Sequence, residues 1–163
     1  MCGISGKIYF NKQEVTRYQL NQMTSKISHR GPDATGYYIS KQKNLGFGHN
    51  RLAIIDLSKK GNQPMTYQNR YVITFNGEIY NYKEQKERLE KIGYSFKTNS
   101  DTEVILALYS KYKDGCLEYL RGMFAFAIYD TYEQTLFIAR DRIGKKPVKY
   151  FLNDNCFIFA SEL

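Results

Sequence analysis

The 163-residue sequence contains only two histidines, three prolines and three cysteines. No apolar run approaches the roughly 20 residues that a membrane helix needs. The N-terminus also lacks the basic stretch followed by an apolar one that marks a secretory signal. Cys2, Cys116 and Cys156 are odd in number and match no metal-ligand spacing. This argues against a disulfide framework or zinc site and for a reducing, cytoplasmic setting. There is no internal repeat, low-complexity tract or Pro/Gly/Ser linker, so residues 1–163 are expected to form one domain. The length suffices to bury roughly 70% of the unfolded chain's surface. No P-loop pattern G-x-x-x-x-G-K-[ST] occurs.

The formal net charge is +8, which raises the question of nucleic acid. The basic residues are spread from Lys7 to Lys149, however, and the densest groups, Lys59-Lys60 and Lys145-Lys146, are only pairs. A solvated basic surface fits this spread better than a binding groove, and no nucleic-acid or membrane partner is expected. The 15 tyrosines and 10 phenylalanines recur mostly in alternating runs, which read as sheet core.

Strand-like stretches are frequent. Gly3–Phe10 places Ile4, Ile8 and Phe10 in one row with a gap at Gly6; Leu45–Asp56, Tyr71–Phe75, Met123–Asp130, Thr135–Arg140 and Cys156–Ala160 follow. Tyr132-Glu133-Gln134 reads as a hairpin turn. Helical spacing occurs over Arg17–Ser28, Tyr82–Ile92 and Thr102–Tyr112, the last with Asp101 as its expected N-cap. Strands joined by short turns, with helices in separate blocks, predict an α+β layered domain with mainly antiparallel sheets. A strand such as MFAFAIYD, apolar on both faces, needs cover on both, which two packed sheets with helices outside supply.

Four polar, glycine-containing stretches sit where such elements end: HRGPDATG (29–36), GHNRL (48–52), FNGEIYNY (75–82) and TNSDTE (98–103). Asn76-Gly77 is expected to end its strand. Because a helix follows it, a hairpin reading yields to a pair of donors for an oxyanion, the Asn76 amide and the Gly77 N–H. The opening MCGISG puts a thiol one cleavage from the chain start. His29 reads as ordering its turn and His49 as bonded to its neighbours, and no third residue is spaced to orient either imidazole. Removal of Met1 provides another base. The freed α-amine, with a pKa of about 7.7–8.0, sits beside the thiol and can take its proton and return it to a leaving amine.

Taken in order, Cys2, HRGPDATG, GHNRLAIIDLS with GNQPM, FNGEIYNY, TNSDTEVIL, GMFAFAIYD and ARDRIGKKP through FASEL closely resemble the glutaminase domain of asparagine synthetase, a class II glutamine amidotransferase of the N-terminal nucleophile hydrolases. The likeness runs from residue 2 to 163. It implies a four-layer αββα sandwich and a set of roles. Cys2 would be the nucleophile toward the side-chain amide of L-glutamine, with the Asn76 side chain and Gly77 N–H as oxyanion hole. Arg51 would grip the α-carboxylate, for which its guanidinium fork is suited, and Glu78 and Asp101 would hold the α-ammonium. In isolation these last three read as a strand-edge ion pair, a solvated surface position and a helix cap. No metal or organic cofactor is implied for glutamine hydrolysis. ATP and magnesium are expected only in an acceptor-activating synthetase domain, normally on the same chain. A homodimer is left open.

Two departures from the family pattern bear on the acceptor: Asn62 stands where His is common, and Val148-Lys149 where Leu-Tyr is usual. Neither is expected to touch the glutamine site. They keep open a sugar-amidating relative as the alternative, with a non-catalytic interface module as a further one. Residues 29–36 are the candidate lid. The sequence stops at FASEL, where the family continues, so an isolated domain of a longer synthetase is expected.

Overall fold

The computed structural model describes all 163 residues, Met1–Leu163. Nine strands and three α-helices alternate as β1 (Gly3–Tyr9), α1 (Arg17–Lys26), β2 (Ala34–Ile39), β3 (Leu45–Arg51), β4 (Met65–Tyr67), β5 (Tyr71–Ile79), α2 (Tyr82–Glu90), α3 (Asp101–Tyr112), β6 (Gly122–Asp130), β7 (Thr135–Arg140), β8 (Lys149–Leu152) and β9 (Cys156–Ala160). They form two sheets, ordered β2-β3-β1-β9-β8 and β4-β5-β6-β7. Every pairing is antiparallel.

The two-residue period of the strands assigns each face. On β5 and β6, Val72, Ala125, Ala127 and Tyr129 point to the first sheet, where Ile4, Leu45, Phe47 and Phe159 meet them. The alternate residues Ile73, Phe75, Phe124, Phe126 and Ile128 pack under Val104, Ile105, Leu108 and Leu89 of the helices. On the opposite side, α1 lies on β1 and β3. Gly46 and Gly48 let it approach, since a Cβ at either would strike Leu20 or Thr24. The order helix, sheet, sheet, helices is the αββα sandwich expected. A capping box, Thr16 with Gln19, starts α1 and satisfies two of its open amides.

Several boundaries differ from expectation for identifiable reasons. The gap at Gly6 is filled by the rings of Phe159 and Phe47, while Phe10 lies beyond the strand and is exposed. β3 stops at Arg51, not Asp56, because its partner strand β2 begins at Ala34 opposite Arg51. That same strand contains residues 34–36, the end of the candidate lid segment, and Asp33 N–H just before it donates to the Arg51 carbonyl at 3.0 Å. β5 does not stop before Asn76-Gly77. It continues to Ile79, paired residue by residue with β6 as far as Gly122. β8 is an edge strand exposed at every position, so it carries no alternation to read.

Candidate active site

The register of β1 fixes where Cys2 falls. Gly3 pairs with Asn50, so Cys2 lies one step further, beside Arg51 and Leu52, on the same side of the strand as Ile4. Across the sheet interface, β5 presents Val72, Thr74 and Asn76 in one row. Thr74 Oγ1 reaches the Gly48 carbonyl at 3.4 Å, and Asn76 is the next residue along. The start of β1 thus faces the middle of β5 across the inter-sheet gap. A cavity of about 160 Å³ opens there, and all six residues singled out in the sequence, Cys2, Arg51, Asn76, Gly77, Glu78 and Asp101, line it.

The Cys2 thiol accepts from Leu52 N–H at 3.3 Å and lies 3.5 Å from the Leu52 carbonyl. Burial pushes its pKa up, against the Leu52 N–H, the chain's terminal ammonium and Arg51. The resting thiol is therefore protonated at neutral pH and needs a base. Neither histidine supplies one. His49 is buried, its Nε2 faces the Phe75 carbonyl at 3.1 Å, and burial lowers its pKa to about 4. His29 is on the surface beside Glu162. The Cys2 carbonyl is held by Arg30 Nε at 3.0 Å, and Met1 stands before Cys2 with its Sδ 2.9 Å from Lys146 Nζ.

Asn76 is 1% exposed, yet its Nδ2 has no hydrogen-bond partner. A buried, unpaired amide is costly, and here it is a donor aimed into the site. Gly77 supplies a second. Its partner Phe124 commits both backbone groups to Asp141, N–H to Oδ2 at 3.2 Å and C=O from N–H at 2.8 Å. Each residue of an antiparallel strand turns its N–H and C=O to one side, so Gly77 N–H points away from β6. Phe75 and Ile79, in the same phase, donate on that side to Gln63 Oε1 at 2.6 Å and Asp101 Oδ2 at 3.0 Å. The expectation that Asn76-Gly77 ends a strand is corrected by this: the pair works from inside one, where β4 is too short to cover it.

Arg51 is buried and wrapped by the loop that follows β3. Nη1 donates to the Ser58 carbonyl at 2.8 Å and Asn62 Oδ1 at 2.7 Å, and Nη2 donates to the Asp56 carbonyl. Five N–H groups are available on a guanidinium, so the Nε edge with one Nη2 hydrogen stays free, the fork that matches a carboxylate. Gly61 is required here because a Cβ would meet the guanidinium. The expectation that Asn62 is remote from the site is overturned: it holds Arg51. Sequence distance hid the contact, since the loop doubles back over eleven residues. Lys149 lies elsewhere, on exposed β8.

Asp101 is not the cap of α3. Ser100 is, accepting from Thr102 N–H, and Asp101 is the first helical residue. This frees the Asp101 carboxylate to point back to Ile79. Burial raises its pKa to about 6, opposed by the Ile79 and Thr102 N–H groups and reinforced by the charge of Glu78. Glu78 is half-buried at the cavity edge and has no ion-pair partner. Glu78 and Asp101 have no cation within salt-bridge distance, although the buried Lys146 lines the same cavity. With the open fork of Arg51 opposite, the arrangement can take a group carrying both charges.

A thiol at the start of the first strand, between two antiparallel sheets with helices outside both, defines the N-terminal nucleophile hydrolase fold. The solved structure of glutamine phosphoribosylpyrophosphate amidotransferase from Bacillus subtilis, complexed with ADP and GMP, superimposes with a TM-score of 0.80 over 98% of this chain and 42% of that one, at 22% identity. Within that fold the chain belongs to the glutamine amidotransferase domain family, whose model matches residues 1–163. Asparagine synthetase [glutamine-hydrolyzing] 1 of Bacillus subtilis is 46% identical over 99% of the chain and 26% of its own length. Asparagine synthetase [glutamine-hydrolyzing] 2 of Arabidopsis thaliana is 37% identical over 100% of the chain and 28% of its own. The chain thus spans about a quarter of the length of these relatives.

Proposed function

We propose that this domain hydrolyses L-glutamine to L-glutamate and ammonia at Cys2. The observation that carries this reading is the single cavity in which a thiol, two unpaired N–H donors, an open arginine fork and two carboxylates converge. Arg51 takes the substrate α-carboxylate, and Asp101 with Glu78 takes the α-ammonium. The cation also returns Asp101 to its ionised form. This holds the side-chain amide against Cys2, a positioning effect of the kind that replaces a diffusional encounter.

With Met1 removed, the neutral α-amine of Cys2 takes the thiol proton as sulfur attacks the amide carbon. The oxyanion settles between Asn76 Nδ2 and Gly77 N–H. The ammonium then returns the proton to the leaving nitrogen, ammonia departs and a γ-glutamyl thioester remains on Cys2. Water, activated by the same amine, releases glutamate. The burial of the Cys2 thiol, which favours its protonated form, suits this order of events, because the proton must have a local acceptor and no imidazole is placed to be one. A non-catalytic module would have no reason to keep all six residues in one cavity.

The names of the relatives supply the destination: ammonia passes to an acceptor-activating synthetase domain that makes asparagine, with ATP and magnesium bound there and by no residue assigned here. The proposal includes a cytoplasmic setting, which rests on the cysteine usage; no helix of this chain is long and apolar enough to cross a membrane. The sugar-amidating alternative gains no support from these relatives.

Glutamate release from glutamine by purified protein tests the proposal. Cys2→Ala should lower turnover at least about 10³-fold, and mass spectrometry of active protein should show the chain without Met1. Turnover that survives Cys2→Ala, or full activity in Met1-bearing protein, would refute the nucleophile and amine-base roles respectively.

A further inference from the structure

The two ends of the substrate receptor come from separate parts of the chain, Arg51 from the end of β3 and Asp101 from the start of α3. Two loop residues join them through their side chains, Gln63 by a neutral hydrogen bond to Thr102 and Asp56 by its carboxylate. Asp56, in the loop that wraps Arg51, gives its backbone carbonyl to Arg51 Nη2. Its carboxylate faces two ways: Oδ1 accepts from Ser58 N–H at 2.8 Å, and Oδ2 accepts from Asn99 N–H at 3.1 Å. Ser58 in turn offers its carbonyl to Arg51 Nη1. Asn99 lies one residue before Ser100, the cap of α3, and two before Asp101. The segment ahead of that cap is itself tied down, since Glu103 takes Lys97 N–H at 3.0 Å and Thr98 N–H at 2.8 Å. Without Asp56, the loop over Arg51 and the start of α3 share no other side-chain hydrogen bond except Gln63 Nε2 to Thr102 Oγ1 at 3.3 Å.

We propose that Asp56 is a positioning residue that sets the distance between the carboxylate-binding and ammonium-binding ends of the glutamine site. The proposal rests on the substrate reading above. A glutamine molecule has a fixed separation between its α-carboxylate and α-ammonium, so a receptor that must engage both gains from a rigid link between its halves, whereas a ligand with one end does not. The link is charge-assisted, because the carboxylate receives backbone N–H donors on each oxygen and bonds of that kind are the stronger ones. Its two oxygens do different work: one closes the turn under Arg51, and the other reaches α3.

Asp56→Ala keeps the backbone carbonyl on Arg51 and cuts both side-chain bonds. It should raise KM for glutamine about tenfold, because of the two bonds lost only the charge-assisted one to Asn99 reaches the α3 side of the site, with kcat within about threefold. Inhibition constants for two ligands separate a link from simple support of Arg51. L-Glutamate, with both ends, should weaken as much as glutamine; 4-carbamoylbutanoate, which lacks the α-ammonium, should weaken by less than about threefold. Asp56→Asn, which keeps one acceptor oxygen, should fall between wild type and Asp56→Ala, and it serves as the second variant if alanine at this position unfolds the loop. An unchanged KM, or equal weakening of both ligands, would overturn the link. Failure of the underlying substrate reading looks different: the unmutated protein, with Met1 removed, would release no glutamate from glutamine.

Discussion

Two buried aspartates at opposite ends of the β5–β6 ladder are treated in opposite ways. Asp130, opposite Tyr71, receives Arg70 Nε at 2.8 Å and Nη2 at 2.7 Å, Lys113 Nζ at 3.2 Å and Tyr132 N–H at 3.0 Å. Burial works against its charge, but these donors hold its carboxyl far below the usual carboxylate range. Asp101, bonded to Ile79 at the other end, has N–H donors and no cation, and burial lifts it to about 6. The unpaired Asn76 Nδ2 is at that same end. At one end the aspartate is fully paired with cations; at the other the aspartate has no cation and the Asn76 amide no partner, at a cost in stability. An acid shifted by burial and an unpaired amide lining one cavity mark a candidate functional site. The comparison can be broken at either end.

Among the changes that test this comparison, the largest effect is expected at Asn76. Asn76→Ala removes one of two oxyanion donors and should lower kcat about 10²–10³-fold. Because the deleted amide has no partner in the folded protein, thermal unfolding should shift little or upward. A large loss of stability with this variant would mean that the amide is structural and would end the contrast.

Asp101 gives the next effect, and its sign is opposite to that of Asp130. Its folded pKa of about 6 lies above the ordinary carboxylate value near 3.9. The protonated form is therefore favoured by folding, and stability from this group is present below that ordinary value and lost as pH rises through about 6. Substrate binding wants the ionised form. KM for glutamine should rise as pH falls below about 6, roughly tenfold per pH unit at the acid extreme. Asp101→Asn should bind glutamine poorly at every pH and unfold at a higher temperature than wild type at pH 8. Asp130 contributes stability above the ordinary carboxylate pKa and loses it as pH falls below. Asp130→Asn should cost about 1–3 kcal/mol at pH 7, measured by denaturant unfolding, and leave glutamine turnover unchanged.

What the sequence could show follows the same division. β6 was legible because GMFAFAIYD is apolar on both faces, and sheet cores have that signature whatever they support. β5 was half legible: Tyr71–Phe75 reads as strand, but Asn76-Gly77 reads as a stop, and only the partner residues Gly122–Phe124 show that pairing carries the strand through. Asp101 sits where a cap belongs, and local chemistry could not tell it from Ser100, one residue earlier. The roles of Arg51 and Asp101 came from the family resemblance. What placed them in one cavity is the register of β3 and the seating of α3, which depend on contacts distant in sequence. Asn62 and Asp56 were invisible as partners of Arg51 because a loop without periodicity gives no clue to which of its carbonyls and side chains turn inward.

The smallest predicted effect tests how finely that loop is tuned. Asn62 accepts a hydrogen bond from Arg51 at 2.7 Å, while Ser58 and Asp56 carbonyls hold the same guanidinium. Losing one of three acceptors should loosen Arg51 without releasing it, so Asn62→Ala should raise KM for glutamine about threefold with kcat unchanged. Histidine, common at this position in the family, makes the sharper variant. A neutral imidazole nitrogen can accept the same N–H, but a protonated one cannot, and it adds a positive charge beside Arg51. With an ordinary histidine pKa near 6.5, Asn62→His should match wild type at pH 8 and lose affinity for glutamine more steeply than wild type between pH 7 and 6. Equal pH profiles for the two proteins would show that Arg51 does not depend on this acceptor. An amide accepts at every pH, so on the proposed reading asparagine would free the carboxylate end of the site from proton control and leave Asp101 as the group that sets the acid limit of binding.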